Sequence, residues 1–445
     1  MGIALGTARF WPHSTAARAA AWLTARVPAV IGFVVFGLTA TALYDRFARE
    51  DGGAVLLLFG VLVGTLIAER VAVYVSLHRL YRDRLATCFA VRRNGSPVVA
   101  EDQKLSTLEP PPRGSENGFP RLLICATANV KWVQTAPSRA PRVTEIRRQR
   151  LFASFVYSHD RCGLPGVPDA SFHTKDLELL TSATGPGREE RFVRLMDGVA
   201  STGAAVSPAM GRKTSDVLRP ILALSNLRLG RWLPNPLSTR MRDTVAADDG
   251  PMKLRRRLLL GDGYDEFLPE LFGLHYADAA RIYVSDGGHF DNLGLLALLQ
   301  ARCAEIWCVD SQADAKGNAG QVRAVLALAE EELRVTVPQS FKSALDSFAA
   351  TDKVLGAGHV IGEVAYAGGG SATVIVVKLG LTDENKDDFA DYRARDGRFP
   401  YHSTFWPPWK VMWYPKARMD AYRSIGYANA LAASCDPDAP PLPTS

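Results

Sequence analysis

The stretch RIYVSDGGHFDNLGLLALLQARCAEIWCVD, Arg281–Asp310, decides how the chain is read. RIYVS is a short apolar run rich in β-branched and aromatic residues, the composition of a buried strand. DGG is a tight-turn tripeptide, FDNLGLLALLQARC has helical spacing, and EIWCVD is a second short apolar run. Together they make a βαβ unit, which predicts parallel strands joined by a right-handed crossover. The fold class that follows is α/β.

Asp286 stands where the first strand becomes the turn, and Gly287 and Gly288 remove side-chain bulk beside it. In open α/β sheets, ligands bind at this carboxyl edge of the strands. A carboxylate there suits a general base, because glycines let backbone and substrate approach closely. On spacing alone, a plain turn in which Asp286 caps the following helix accounts for the tripeptide slightly better. His289 offers an imidazole as an alternative base, although its place after the tripeptide suits a turn or surface role.

Outward from this unit, RLLICATANV (Arg121–Val130) and FASFVYS (Phe152–Ser158) read as strands, and Glu189–Ala200 has helical spacing. Gln321–Leu333 reads as a helix. His359–Tyr366 and Ala372–Leu379 read as strands joined by a GGGS turn.

The chain has 445 residues, 47% of them hydrophobic and 22% charged, which fits a globular protein. Its six cysteines are dispersed, with no pair or Cys/His cluster at metal-ligand spacing, so free thiols are expected. The net charge of +6 raises nucleic acid as a partner, but the basic residues Arg70, Arg79, Arg82, Arg84, Arg92 and Arg93 follow an apolar run. That placement favours lipid headgroups or a positive-inside bias over nucleic acid. Nucleotide binding has no support, since neither GxxxxGK[ST] nor a GxGxxG after a strand occurs.

Val27–Tyr44 contains no charge, and Gly52–Ala68 is a second apolar run. Each approaches the length needed to span a hydrocarbon core of about 30 Å. The short DRFARED between them predicts a two-helix transmembrane hairpin, with arginines placing both chain ends in the cytoplasm. The expected organisation is a tail at 1–26, the hairpin at 27–77, a basic juxtamembrane segment and linker at 78–120, an α/β domain at 121–435 and a tail at 436–445.

YVSDGGHFDNLGLLALLQARCAEIWCVDSQAD (Tyr283–Asp314) resembles the DGG segment of bacterial patatin-like phospholipases. STGAAVSPAMGRKT (Ser201–Thr214), NLRLGRWLPNP (Asn226–Pro236), FPYHST near His402 and AYRSIGY near Tyr422 are similar to further blocks of that family, in the same order. The resemblance covers about Tyr81 to Ala432, the C-terminal half of the family pattern. It implies a three-layer patatin-like sheet with flanking helices and a Ser-Asp dyad that uses no metal or cofactor. The implied substrates are phospholipids, lysophospholipids and other acyl esters. By the resemblance Asp286 is the dyad base, Gly287, Gly288 and Asn292 shape its turn, and Ala204 and Ala205 lie near the cleft.

The family nucleophile sits in GxSxG on a strand-to-helix elbow, after a Gly-rich oxyanion loop. Neither is present here. Ser201 and Ser207 precede Asp286 but lack the glycine before the nucleophile, and Ser371, in GGSAT, follows Asp286 and has Thr373 where the second glycine belongs. The chain thus reads as a membrane-anchored lipid acyl hydrolase that lacks its nucleophile half, as a fragment would. A separate polypeptide carrying that half is the partner this reading calls for. The competing reading is a noncatalytic scaffold or binding module of the same fold.

Overall fold

The computed structural model describes residues 77–92, 99–100, 102–108, 110, 120–130, 152–167, 169–181, 193–224, 228–247, 264–401 and 415–440. The strands are β1 (Val91–Arg92), β2 (Val99–Ala100), β3 (Ile124–Asn129), β4 (Phe152–Tyr157), β5 (Arg161–Gly163), β6 (Ser171–His173) and β7 (Arg231–Pro234). They continue as β8 (Arg281–Ser285), β9 (Glu305–Asp310), β10 (Ala350–Thr351), β11 (Val354–Leu355), β12 (His359–Ala365), β13 (Ser371–Lys378) and β14 (Leu381–Thr382).

The chain divides into two units. The first holds the described residues within Met1–Gln103, Asn129–Val133 and Asp176–Ser285, and the second those within Lys104–Ala128, Gln134–Lys175 and Asp286–Ser445.

In the second unit, β9 lies parallel to β13, with Asp310 opposite Lys378, and β12 lies antiparallel to β13. Side chains alternate across this sheet as strand geometry requires. Ile306, Cys308, Val374 and Val376 face a core shared with Leu295, Leu299, Val322, Val325 and Leu326 of the helices Leu295–Gln300 and Gly320–Leu333. Ile375 and Val377 face the other way, onto Ala433 of the helix Lys416–Ser434. Each fully buried Val or Leu contributes about 1.5–3 kcal/mol. The same unit contains β3 to β6, in the order β6-β5-β4-β3.

In the first unit, β7 pairs antiparallel with β8, Arg231 opposite Val284. The helix Leu77–Phe89 packs on the helix Leu195–Thr202 through charge as much as through apolar contact. His78 Nδ1 lies 2.6 Å from the Leu229 carbonyl, and the buried Asp197 carboxylate gathers Arg231 at 2.5 Å, His78 at 3.4 Å and Arg82 at 3.6 Å. Burial alone would raise the Asp197 carboxyl, and the Arg231 guanidinium, the hydrogen bond with His78 and Arg82 hold it below the ordinary carboxylate range.

Two expectations are corrected here. Among the described residues, no helix is long and apolar enough to cross a membrane. This removes support for the two-span hairpin at 27–77, for multi-pass membrane residence and for the cytoplasmic placement inferred from it. Residues 27–76 lie outside the described residues. The helix that begins at Leu77 has 13 residues, about 20 Å, and carries His78, Arg79, Arg82, Asp83 and Arg84. Arg82 does not face headgroups: it is buried, with Asp83 at 2.8 Å and Asp197 beyond it.

The single three-layer patatin-like sheet is also corrected, to a mixed α/β fold whose strands fall into separate sheets, many of them paired antiparallel. β8 and β9 are not neighbours: β8 pairs with β7, and β9 with β13. The predicted crossover helix is shorter than its apolar spacing suggests. The Asp291 carboxylate takes the N–H groups of Leu293, Gly294 and Leu296, and Gly294 has φ 68°, so α-helix begins only at Leu295.

Two buried groups make this fold sensitive to substitution and pH. Lys378 Nζ is buried between Asp310 Oδ2 at 2.8 Å and Asp314 Oδ2 at 3.1 Å. Burial alone would raise the Asp314 carboxyl, whereas the Lys378 ammonium and the Asn318 and Ala319 N–H groups hold it below the carboxylate range. Lys378→Met leaves Asp310 buried beside an apolar chain, and its urea midpoint should fall by the equivalent of about 3–5 kcal/mol.

His275 forms a three-ring cluster with Trp232, stacked at 5.4 Å, and Tyr283, and neither of its ring nitrogens has a hydrogen-bond partner. Burial, and then the Arg219 charge, push it down to about 4 from 6.5. The unfolded chain therefore binds this proton more readily, and stability falls as pH drops from 6.5 towards 4. Over that range His275→Phe should lose about 2–3 kcal/mol less than the wild type in urea titrations, and equal losses would refute this role for His275.

Candidate active site around Asp286

β8 delivers Asp286 to its carboxyl end because Ile282, Tyr283, Val284 and Ser285 are all buried and hold the strand in place. After it the chain folds into a short 3-10 turn, Gly287–His289, rather than directly into the α-helix. Asp286 caps that turn: Gly288 N–H donates to Asp286 Oδ1 at 2.6 Å. The backbone turn closes as His289 N–H donates to the Asp286 carbonyl at 3.1 Å, and Phe290 and Asp291 N–H donate to the Gly287 carbonyl at 2.9 Å. The carboxylate that could act as base is thus also a capping group, so the two sequence readings of DGG describe one arrangement.

Asp286 is half-buried and Asn292 is exposed. A Cβ on Gly288 would overlap Asn292 Oδ1 and come within 3.0 Å of Asp286 Oδ1. Gly288 is therefore favoured by the close approach of two side chains rather than by its φ, and the exposed Asn292 amide is the one that gives way to a larger residue. Gly287 is buried.

Two residues that the sequence reading passed over shape this turn. Thr127, buried in β3, donates its Oγ1 hydrogen to the Asp286 carbonyl at 2.7 Å. Asp291 ties the turn to the helix through its three backbone contacts. The only signal for Thr127 was a polar residue inside the apolar run ICATANV, and for Asp291 a helix-capping residue type ahead of the apolar run.

The other expected residues are placed differently. Ala204 is buried and Ala205 half-buried in the loop after the helix Leu195–Thr202, and both belong to the first unit, whereas Asp286 to Asn292 belong to the second. That loop is tied to β8 by Asn129, which accepts from Gly211 N–H at 2.8 Å and donates to Ser285 Oγ at 2.9 Å. His289 is buried.

None of the weighed serines is set up as a nucleophile. Ser201 and Ser207 are fully buried, and Ser207 Oγ accepts from Gly230 N–H at 3.0 Å. Ser371 is exposed but opens β13 after a glycine turn, without the strand-to-helix elbow.

The buried Cys125 and Cys308 offer no substitute. Cys125, Cys162, Cys303, Cys308 and Cys435 form no disulfide, and burial, followed by the Asp291 charge, pushes Cys125 up to about 12. Burial, with Asp310 and then Asp291, does the same to Cys308. Both are thiols rather than thiolates at neutral pH. Among the described residues, no group of three or more His, Cys, Asp or Glu could hold a metal ion.

No family model, no curated protein and no solved structure matches this chain. The patatin-like resemblance rests on the sequence blocks alone.

Gly288→Ala tests the crowding. The added methyl should displace the exposed Asn292 amide, costing about 1 kcal/mol, and Asn292→Ala in the same chain should recover most of that loss in thermal unfolding. Strict additivity of the two substitutions would show that the contact is unimportant.

Proposed function

We propose that this chain supplies the general base of a serine acyl-transfer site of patatin type, acting on acyl esters such as phospholipids and lysophospholipids. The observation that carries the reading is the half-buried Asp286 carboxylate at the end of β8. It is fixed by Gly288 N–H in a turn where a side chain at Gly288 would crowd Asn292. The resemblance of Tyr283–Asp314 and the neighbouring blocks supports the same reading.

As a serine oxygen attacks the ester carbonyl carbon, its proton passes to Asp286, and the proton then leaves with the departing alcohol oxygen. Water attacks the acyl-enzyme in the reverse sense and releases the fatty acid. No serine of the chain lies in GxSxG, and Ser201 and Ser207 are sealed from solvent, so on this reading the serine comes from a separate polypeptide. That same burial favours a second reading, a noncatalytic binding module that keeps the turn for its structural value.

The test is fatty-acid release from mixed phospholipid and lysophospholipid micelles. The full chain is assayed alone and with a polypeptide encoded beside it that bears GxSxG, and a fluorophosphonate probe reports any activated serine. Release and labelling that both fall by about 10³-fold or more in Asp286→Asn are the expected result. No release in either arrangement, or release indifferent to Asp286→Asn, overturns the acyl-transfer reading and leaves the binding module.

A further inference from the structure

We propose that the helices Leu218–Leu224 and Tyr264–Phe272 form an acid-released flap on the first unit, with His275 as its trigger. The two helices pack on each other, and the chain leaves the second through Gly273, at φ 66°, to reach His275. Much of their outer surface is apolar: Val217, Leu218, Ile221, Phe272 and Tyr276 are all exposed. At seven and nine residues, neither helix is long enough to persist in water by itself, and Pro269 weakens the second further. The pair therefore keeps its shape only while it is held against β7 and β8.

Buried polar contacts hold it there. Glu270 Oε1 accepts from Trp232 Nε1 of β7 at 2.7 Å and pairs with Arg228 at 3.1 Å, and Glu266 pairs with Arg281 of β8. His275 is buried in the same seam, against the rings of Trp232 and Tyr283, with neither ring nitrogen hydrogen-bonded. A neutral imidazole leaves two hydrogen bonds unmade in that seat. An imidazolium would be a buried cation with both donors unanswered, which costs far more.

The charged groups around it give no relief. From the first helix comes Arg219, whose guanidinium lies against Gly273 and whose ion pair, to Asp216 at 2.7 Å, uses an exposed carboxylate that water screens. From the second helix come Glu270 and Glu266, each already engaged by an arginine. β7 and β8 bring the neutral rings of Trp232 and Tyr283. Attraction of an imidazolium to the Trp232 face is smaller than the cost of burying its charge. Burial and then Arg219 accordingly push His275 down to about 4, against 6.5 once it reaches water. As the pH falls through 6.5 the released state takes the proton first, so release becomes easier, by about 30-fold between pH 7.5 and pH 5.

Hydrogen exchange of the full chain reads this release directly. After correction for the intrinsic pH dependence of exchange, protection of peptides covering residues 218–224 and 264–276 should drop about 30-fold from pH 7.5 to pH 5. The helix Gly320–Leu333 of the second unit should show no matching drop. His275→Phe fills the seat without a titratable group and should abolish the pH-dependent drop. His275→Gln, also neutral, serves the same purpose if the phenylalanine variant does not fold.

Three results overturn the proposal: no drop in the wild type, a drop shared with Gly320–Leu333, which is global unfolding, or a drop that survives in the neutral variant. None of these readings needs turnover, so the flap stands or falls separately from the reading of Asp286.

Discussion

Asp291 organises the region from which the candidate site is built. Its carboxylate is buried and accepts three backbone N–H groups, those of Leu293, Gly294 and Leu296. Its own N–H donates to the Gly287 carbonyl, so one residue closes the Asp286 turn and opens the next helix. A carboxylate that replaces the missing partners at a helix start is worth about 1 kcal/mol or more, and more when buried. Leu295, Leu296 and Leu299 can enter the core only because this cap sets where the helix begins.

The second unit relies on a comparable device at the far end of its sheet. Lys378 and Asp310 face each other across parallel strands and are both buried, so the two strand ends are joined by charge where side-chain packing runs out. The C-terminal helix is fixed beside them, since Asn429 donates to the carbonyls of Lys378 and Gly380. In the first unit, Asp197 plays the corresponding part for Arg82, Arg231 and His78. These charges are interior fastenings. That explains why the excess of Lys and Arg over Asp and Glu was a poor guide to the chain's surroundings: a count of arginines does not distinguish a headgroup contact from a buried ion pair.

How much of this was legible in the sequence depended on the range of the interaction. Strands β3, β4, β8, β9, β12 and β13 and the helix Gly320–Leu333 lie close to where composition and periodicity place them, because burial of one face is written locally. The partnering of β8 and β9 was not legible, since the βαβ expectation assumes that consecutive strands are neighbours, and here each found another partner. Asp286 could be singled out because two adjacent glycines mark it. Thr127 could not, because a hydrogen bond across 159 residues leaves no local trace.

The site has an asymmetry that bears on how it could work. The carboxylate side is built, with Asp286 held locally by Gly288, its turn braced by Thr127 and Asn292 lying against Gly288. Ser201 and Ser207, which belong to the other unit, are buried, and Cys125 and Cys308 are held as neutral thiols. A base without its acid–nucleophile partner cannot lower the barrier to acyl transfer, however well it is aimed. Under the acyl-transfer reading proposed above, the serine is brought to Asp286 from elsewhere, whereas the binding-module reading needs none. The half-exposed position of the carboxylate, at the end of a strand whose other residues Ile282 to Ser285 are buried, is what such an encounter requires.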